Sequence, residues 1–98
     1  MEILKSSGSL SPRKKRKRVY LYLLNDEYNE MSYVMHCLQS TLPLCNSLRA
    51  EQLVTIVHNT GECLIYSSLN PAIYVMYAQL QKLGLQADIR YSKTKYSL

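Results

Sequence analysis

The hydrophobic residues along this chain change their spacing several times, and each spacing predicts an element of secondary structure. The apolar and aromatic run Val19–Leu24 is typical of a strand that is buried on at least one face. A polar turn over residues 25–29 follows, in which Asn29 is expected to be the N-cap of a helix. Apolar residues then recur at the spacing of an amphipathic helix, which Pro43 ends; they are Met31, Val34, Met35, Leu38 and Leu42.

The second half of the chain predicts two more helices and two short strands. A helix is expected from Asn46 or Ser47 to Gly61, with an apolar stripe at Ala50, Leu53, Val54 and Val57. Residues 63–66 predict a strand, and Asn70 followed by Pro71 is a strong signal for the start of a third helix. Gly84 ends that helix, and residues 87–91 predict a last strand. The expected buried face of the third helix consists of Ile73, Met76, Tyr77, Leu80 and Leu83.

The predicted order, β-α-α-β-α-β, corresponds to an α+β domain with a three-stranded, mainly antiparallel sheet and three helices.

The distribution of charge separates a basic N-terminal segment from the rest of the chain. Residues 1–18 carry seven basic residues and one acidic residue, a net charge of +6, whereas residues 19–98 carry five basic and six acidic residues, a net charge of −1. We therefore expect a disordered basic tail over residues 1–18, one folded domain over residues 19–92 and a frayed end over residues 93–98.

The basic tail raises an alternative function. Residues 13–18 are six consecutive Lys or Arg residues, which could neutralise several phosphates of a nucleic acid or another polyanion. No aromatic residue interrupts this run, and the rest of the chain contributes no basic face. A polyanion-binding protein that acts through its tail is therefore the second hypothesis, and weak tail contacts are the most that we expect with nucleic acid.

Cysteine usage and hydropathy indicate the cellular compartment. Cys37, Cys45 and Cys63 are odd in number and show no C-x-x-C spacing, so the pattern favours buried or half-buried thiols over a disulfide framework or a zinc site. The longest apolar run has six residues, whereas a membrane helix needs about 20. We expect a soluble cytoplasmic protein with no membrane partner and no cofactor.

The motifs of enzymes are missing from the sequence. There is no nucleophile elbow, P-loop, dinucleotide fingerprint or H-E-x-x-H pattern. His36 and Cys37 are neighbours on the first predicted helix and would point to different faces, so they do not form a catalytic pair. An enzyme is the least favoured class.

One constellation of residues carries a specific resemblance. The first part reads N-D-E-Y-x-x-M-x-Y-V and begins at Asn25; the second part reads V-H-N-x-G and begins at Val57. Together they resemble the ClpS family, whose signature reads N-D-D-Y/F, then M-x-F-V and, further on, V-H-x-x-G. The resemblance runs from about residue 20 to residue 91. The C-terminal domain of the ribosomal stalk protein shares this order of elements, but it lacks the two motifs.

The resemblance implies a non-enzymatic adaptor without a cofactor. Such an adaptor binds the free N-terminus of substrate proteins and docks on the N-terminal domain of a ClpA- or ClpC-like unfoldase. By position, the substrate amine would be bound by Asn25, Asp26 and His58, with possible electrostatic support from Glu27 and Glu30. The pocket for the first side chain would be formed by Asn29, Met31, Val34, Val54, Val57 and Ala87.

Several positions depart from the family pattern. Glu27 replaces the usual second Asp, and Asn29 and Glu30 stand where Thr and Pro are common. Val54 and Ala87 are smaller than the Met and Leu that are common at their positions. The resemblance therefore implies a roomier pocket floor than is usual in the family, while Met31 at the pocket mouth would exclude β-branched first residues.

Overall fold

The computed structural model describes residues 17–92, which fold into six elements in the predicted order β-α-α-β-α-β. The predicted α+β class with three helices and a three-stranded antiparallel sheet is confirmed. The elements are β1 (Val19–Leu24), α1 (Met31–Thr41), α2 (Ser47–Thr60), β2 (Glu62–Ser68), α3 (Ala72–Lys82) and β3 (Ala87–Tyr91).

Strand β1 is the centre of the sheet, because the strand order is β2-β1-β3 and both pairings are antiparallel. Side chains alternate between the two faces of a strand. Val19, Leu21 and Leu23 are accordingly buried, whereas the residues between them are half-buried. Strand β2 is longer than the predicted residues 63–66, because it pairs with β1 along the whole length of that strand and accommodates an irregularity opposite Leu21.

The core lies between the sheet and the helices. Leu21 of β1, Leu38 of α1, and Ile73 and Leu80 of α3 have no exposed surface, and Leu53 of α2 is nearly as buried. Each of these side chains contributes roughly 1.5–3 kcal/mol when it is fully removed from water. Three apolar residues of the predicted face of α3 pack against this core while remaining half-buried, namely Met76, Tyr77 and Leu83.

The helix ends follow the predicted signals with one exception. Asn46 Oδ1 accepts a hydrogen bond from the Arg49 backbone N–H at 2.8 Å, and Asn70 Oδ1 accepts one from the Ala72 backbone N–H at 2.8 Å. Asn29 is not the N-cap of α1, as the sequence analysis had it. Glu30 holds that position and makes no side-chain capping bond, while the Asn29 amide donates to Asp26 Oδ2.

The two termini lie largely outside the described part of the chain. Of the expected disordered tail over residues 1–18, only Lys17 and Arg18 are described, and Arg18 Nη1 donates a hydrogen bond to Ser67 Oγ at 3.0 Å. The expected frayed end over residues 93–98 is entirely outside the described residues. Within residues 17–92, no helix is long and apolar enough to cross a membrane.

The backbone of Gly61 provides a test of how α2 ends. Its φ of 94° lies in the left-handed region, and a Cβ added there would meet no atom within 4 Å. The Gly61→Ala variant should therefore pay only the conformational cost, and we expect its free energy of unfolding to fall by about 1–2 kcal/mol. Chemical denaturation measures this change. Gly61→Asn is the matched control, since Asn adopts the left-handed conformation more readily, and an equal loss in both variants would contradict this explanation.

Candidate functional site

A cavity of about 420 Å³ opens where strand β1 ends. Its wall comes from four parts of the fold: the end of β1, the loop after it, the first turn of α1 and the last turns of α2. The residues that line it are Leu23, Leu24, Asn25, Asp26, Glu27, Asn29, Met31, Val34, Val54, Val57 and His58. The cavity is large enough for an amino-acid side chain together with the backbone atoms attached to it.

Two backbone hydrogen bonds determine where the loop leaves the sheet. The Leu24 N–H donates to the carbonyl of Gln86, just before β3, at 2.9 Å. The Asn25 N–H donates to the carbonyl of Gly61, just after α2, at 2.9 Å. Gly61 follows the last turn of α2, which contains His58. These bonds therefore bring together Asn25 and His58, which are 33 positions apart in the sequence.

Asp26 organises the loop. Its Oδ1 accepts the backbone N–H groups of Tyr28 at 2.9 Å and Asn29 at 2.8 Å, and its Oδ2 accepts Asn29 Nδ2 at 3.1 Å. Partial burial acts to raise the pKa of Asp26, but the bonds from Asn29 and then Tyr28 outweigh it, so the pKa lies below its ordinary value. The carboxylate is therefore charged at neutral pH, and Oδ2 keeps one lone pair for a further donor.

The polar part of the cavity attracts cations. Asn25, Asp26, Glu27 and His58 contribute an amide, two carboxylates and an imidazole, and neither Lys nor Arg is among the residues that line the cavity. The amide oxygen, the carboxylate oxygens and one nitrogen of a neutral imidazole are hydrogen-bond acceptors. Only the amide nitrogen and the other imidazole nitrogen are donors. The start of α1 carries a partial positive charge that would repel a cation, and the acidic residues offset it.

The apolar part of the cavity is continuous with the core. Val54 and Val57 of α2 are only 6% and 5% exposed, so they form a buried wall. Met31, the first residue of α1, is 44% exposed and lies at the rim, while Val34 is half-buried between them. A ligand side chain that enters past Met31 would exchange water for contact with these three valines.

The cavity unites most of the residues that were predicted for the site. The three residues predicted to bind an amine, Asn25, Asp26 and His58, line it together with Glu27. The predicted pocket residues that line it are Asn29, Met31, Val34, Val54 and Val57. Ala87 and Glu30 are not among the lining residues. Ala87 begins β3, pairs with Leu23 and packs against the core, and Glu30 caps the start of α1 at the surface.

Sequence reasoning missed two lining residues, Leu23 and Leu24. Leu23 looked like an ordinary inward residue of a strand, which it also is, at 2% exposure. Their position directly before the Asn25 motif was the available signal, because a strand that leads into a binding loop ends at the wall of that site.

Metal clusters and reactive thiols are the other chemistry to look for among the described residues. Within residues 17–92, no group of three or more His, Cys, Asp or Glu residues could hold a metal ion. Cys37, Cys45 and Cys63 are free thiols. Burial raises the pKa of both Cys45 and Cys63, more than the nearby Arg49 lowers it, so neither is an activated thiolate.

Comparison with known proteins agrees with the sequence resemblance. The family model of the ATP-dependent Clp protease adaptor protein ClpS matches residues 14–87. The ClpS adapter protein of Thermosynechococcus vestitus is 29% identical over 73 residues, which is 74% of this chain and 78% of that protein. ClpS2 of Agrobacterium tumefaciens, solved with bound L-phenylalaninamide, is similar in fold: the TM-score is 0.65 at 14% identity, over 80% of this chain and all of that one.

The family match covers the part of the chain that forms the cavity. The matched region spans β1 to the start of β3 and includes every residue that lines the cavity. The family consists of protease adaptors and not of enzymes. The chain belongs to the ClpS family of ATP-dependent Clp protease adaptor proteins.

Proposed function

We propose that this adaptor binds the free N-terminal amine and the bulky apolar first residue of substrate proteins and delivers them to a ClpA- or ClpC-type AAA+ protease. The observation that carries the proposal is a single cavity with a polar, cation-attracting side and an apolar wall. An N-terminal residue with a large side chain has the same two halves, an ammonium group and an apolar group, joined by one carbon atom.

The polar side suits an ammonium group. An ammonium has three N–H donors and no acceptor, so its partners must be acceptors. Asn25 offers an amide oxygen, Asp26 the remaining lone pair of Oδ2, and His58 the unprotonated nitrogen of a neutral imidazole. Glu27 lines the same cavity and adds negative charge beside them, and Glu30 adds negative charge at the start of α1, outside the cavity lining. In this proposal Asn25, Asp26 and His58 bind the substrate amine.

The energies of these contacts are sufficient for specific binding. Burial of a large apolar side chain contributes roughly 1.5–3 kcal/mol, and each hydrogen bond to a charged group contributes about 1.5–3 kcal/mol. Micromolar affinity requires about −8 kcal/mol. One filled pocket and three charge-assisted hydrogen bonds sum to about 6–12 kcal/mol, so they reach that value with nothing to spare, at the upper end of these ranges and with an association cost of about 4 kcal/mol. Loss of either half would leave the binding weaker than micromolar.

The comparisons support this ligand class. The A. tumefaciens relative was solved with L-phenylalaninamide, which carries a free amine next to an aromatic side chain. The family match supports a Clp protease as the partner, and docking on the N-terminal domain of a ClpA- or ClpC-like unfoldase is part of the proposal. A cytoplasmic location is also part of it, and the three free thiols favour a reducing compartment.

The first prediction is that binding requires an unblocked N-terminus. Acetylation of a Phe-starting peptide replaces the ammonium by an amide that has one donor and an added carbonyl oxygen, which would face the acceptors of Asn25, Asp26 and His58. We expect the dissociation constant to rise at least ten-fold, which corresponds to a loss of about 1.4 kcal/mol or more of binding free energy. Fluorescence anisotropy with labelled peptides measures it, and equal affinity for the two peptides would refute the amine site.

A second prediction concerns pH. Imidazoles generally change charge between pH 5 and 8, and a protonated His58 would repel the ammonium instead of accepting from it. We therefore expect affinity for a Phe-starting peptide to fall from pH 7 to pH 5.5, because a positive charge on the imidazole would face the positive charge of the ammonium. Asp26 contributes nothing to this change, because its lowered pKa keeps the carboxylate charged throughout the window.

Substitutions at position 58 isolate that effect. His58→Gln keeps an uncharged acceptor that does not titrate, so its affinity should be flat from pH 7 to pH 5.5, whereas His58→Ala should bind weakly at both values. At more acidic pH, Asp26 should also stop contributing to the stability of the fold. Its folded-state pKa is lowered, so this contribution is lost as the pH falls from the ordinary carboxyl pKa through the folded-state pKa. A native protein with a flat profile, together with an unaffected His58→Ala variant, would assign this histidine a structural role.

A third prediction concerns selectivity for the first residue. Val54 is a small residue in the apolar wall, so we expect Trp and Phe to fill the cavity better than Leu, by roughly five- to thirty-fold for a gap that costs about 1–2 kcal/mol. Val54→Met should narrow the cavity and lower the Trp-to-Leu affinity ratio about five-fold or more. Gln52→Met, on the exposed face of the same helix, is the matched control and should leave the ratio unchanged. A Val54→Met variant with the native ratio would remove Val54 from the pocket.

A further inference from the structure

The side-chain amide of Asn29 has only one orientation that its neighbours allow. Its Nδ2 donates to Asp26 Oδ2 at 3.1 Å and to the backbone carbonyl of Gly84 at 3.0 Å. A carboxylate and a carbonyl are both acceptors, so the NH₂ group must face them and the amide oxygen cannot. Both N–H bonds of the amide are thereby used within the protein.

The opposite end of the amide is available. Within residues 17–92, no donor forms a hydrogen bond with Asn29 Oδ1, and this oxygen is not among the buried polar atoms that lack a partner. Asn29 lines the same cavity as Asp26 and His58. The two hydrogen bonds of Nδ2 fix the orientation of the whole amide group, so its oxygen has already lost its rotational freedom. A ligand that bonds to this oxygen need not restrain the side chain on binding.

We infer that Asn29 Oδ1 accepts a hydrogen bond from an N–H group at the N-terminus of the bound peptide. The inference rests on the proposed function and deepens it, because Asn29 becomes a direct polar contact in addition to a wall of the side-chain pocket. Two N–H groups lie close enough together in a peptide to serve: the ammonium itself and the amide of the first peptide bond. Asn29 is also a positioning residue, since its backbone and side-chain N–H groups hold Asp26.

The test measures coupling between Asn29 and individual N–H groups of the ligand. The parent is a Phe-starting peptide. One analogue replaces the first peptide bond by an ester, which removes that N–H, and another carries an N-methylated terminal amine, which keeps the charge and removes one ammonium N–H. Dissociation constants are measured for native protein, Asn29→Ala and Asn46→Ala. Asn46→Ala is the matched control, because it also loses one backbone-capping hydrogen bond but lies outside the cavity.

We expect Asn29→Ala to weaken the parent peptide about ten-fold and Asn46→Ala to leave its affinity unchanged. For one analogue the penalty of Asn29→Ala should shrink to about three-fold or less, because the contact is already missing. A shrunken penalty with the ester identifies the first peptide bond as the donor, and one with the N-methyl analogue identifies the ammonium. Asn29→Ser provides the same comparison if Asn29→Ala does not fold.

The inference would be overturned if Asn29→Ala weakened the binding of all three ligands by the same factor. That result is expected if the variant only loses the hydrogen bonds from Asn29 to Asp26 and Gly84, because their loss affects every ligand equally. The inference would also be overturned if native protein bound both analogues as tightly as the parent. Failure of the proposed function has a separate signature, namely that native protein does not bind the parent peptide at all.

Discussion

The structure depends on the position of β1, which is hydrogen-bonded on both sides and buried on the face that carries Leu21 and Leu23. A central strand has no free edge, so its register is determined by two neighbours at once. Its last residue is bonded to the segment before β3, and the next residue is bonded to the segment after α2. The loop that follows must therefore leave the sheet at the point where those two segments converge, and the cavity forms there.

Within that loop, a small set of hydrogen bonds determines the electrostatics of the site. Asp26 accepts three N–H groups, and the Asn29 amide connects it to Gly84 in the turn between α3 and β3. Tyr33 of α1 adds a second connection to the same turn, because its hydroxyl donates to the Leu83 carbonyl at 2.6 Å. A carboxylate held in this way retains its charge in a partly buried position, which suits a site for a cation.

On the opposite face of the sheet, the strands are connected by an ion pair and a cation–π contact. Arg90 of β3 reaches across β1 to Glu62 of β2, with two N–H···O bonds of 2.7 and 2.9 Å, and its guanidinium lies 4.0 Å from the centre of the Tyr22 ring. The hydrogen bond from Arg90 lowers the pKa of Glu62, and this effect outweighs the opposing effect of desolvation. Because both partners are at the surface, water screens this pair, and it acts mainly by aligning the three strands.

The amino-acid sequence by itself determined the elements and their order. Period-two and period-3.6 spacings, Gly61 after α2 and the Asn70-Pro71 start of α3 are local signals, and local backbone sterics and capping are enough to interpret them. The motif residues Asn25, Asp26 and His58 were recognisable in the sequence through the resemblance of their two motifs to the ClpS signature, and their shared ability to accept hydrogen bonds fits the amine site that the resemblance implies.

Tertiary structure decided how those residues combine. Asn29 looked like a helix cap, and only the approach of Gly84, 55 residues away, shows that both N–H groups of its amide are used within the protein, one on Asp26 and one on Gly84. The length of β2 depended on its pairing with β1, and the participation of Leu23 and Leu24 in the cavity wall depended on where α2 packs. Long-range contacts of this kind leave no periodic trace in the sequence, because each depends on two segments whose separation along the chain is unrelated to their distance in the fold.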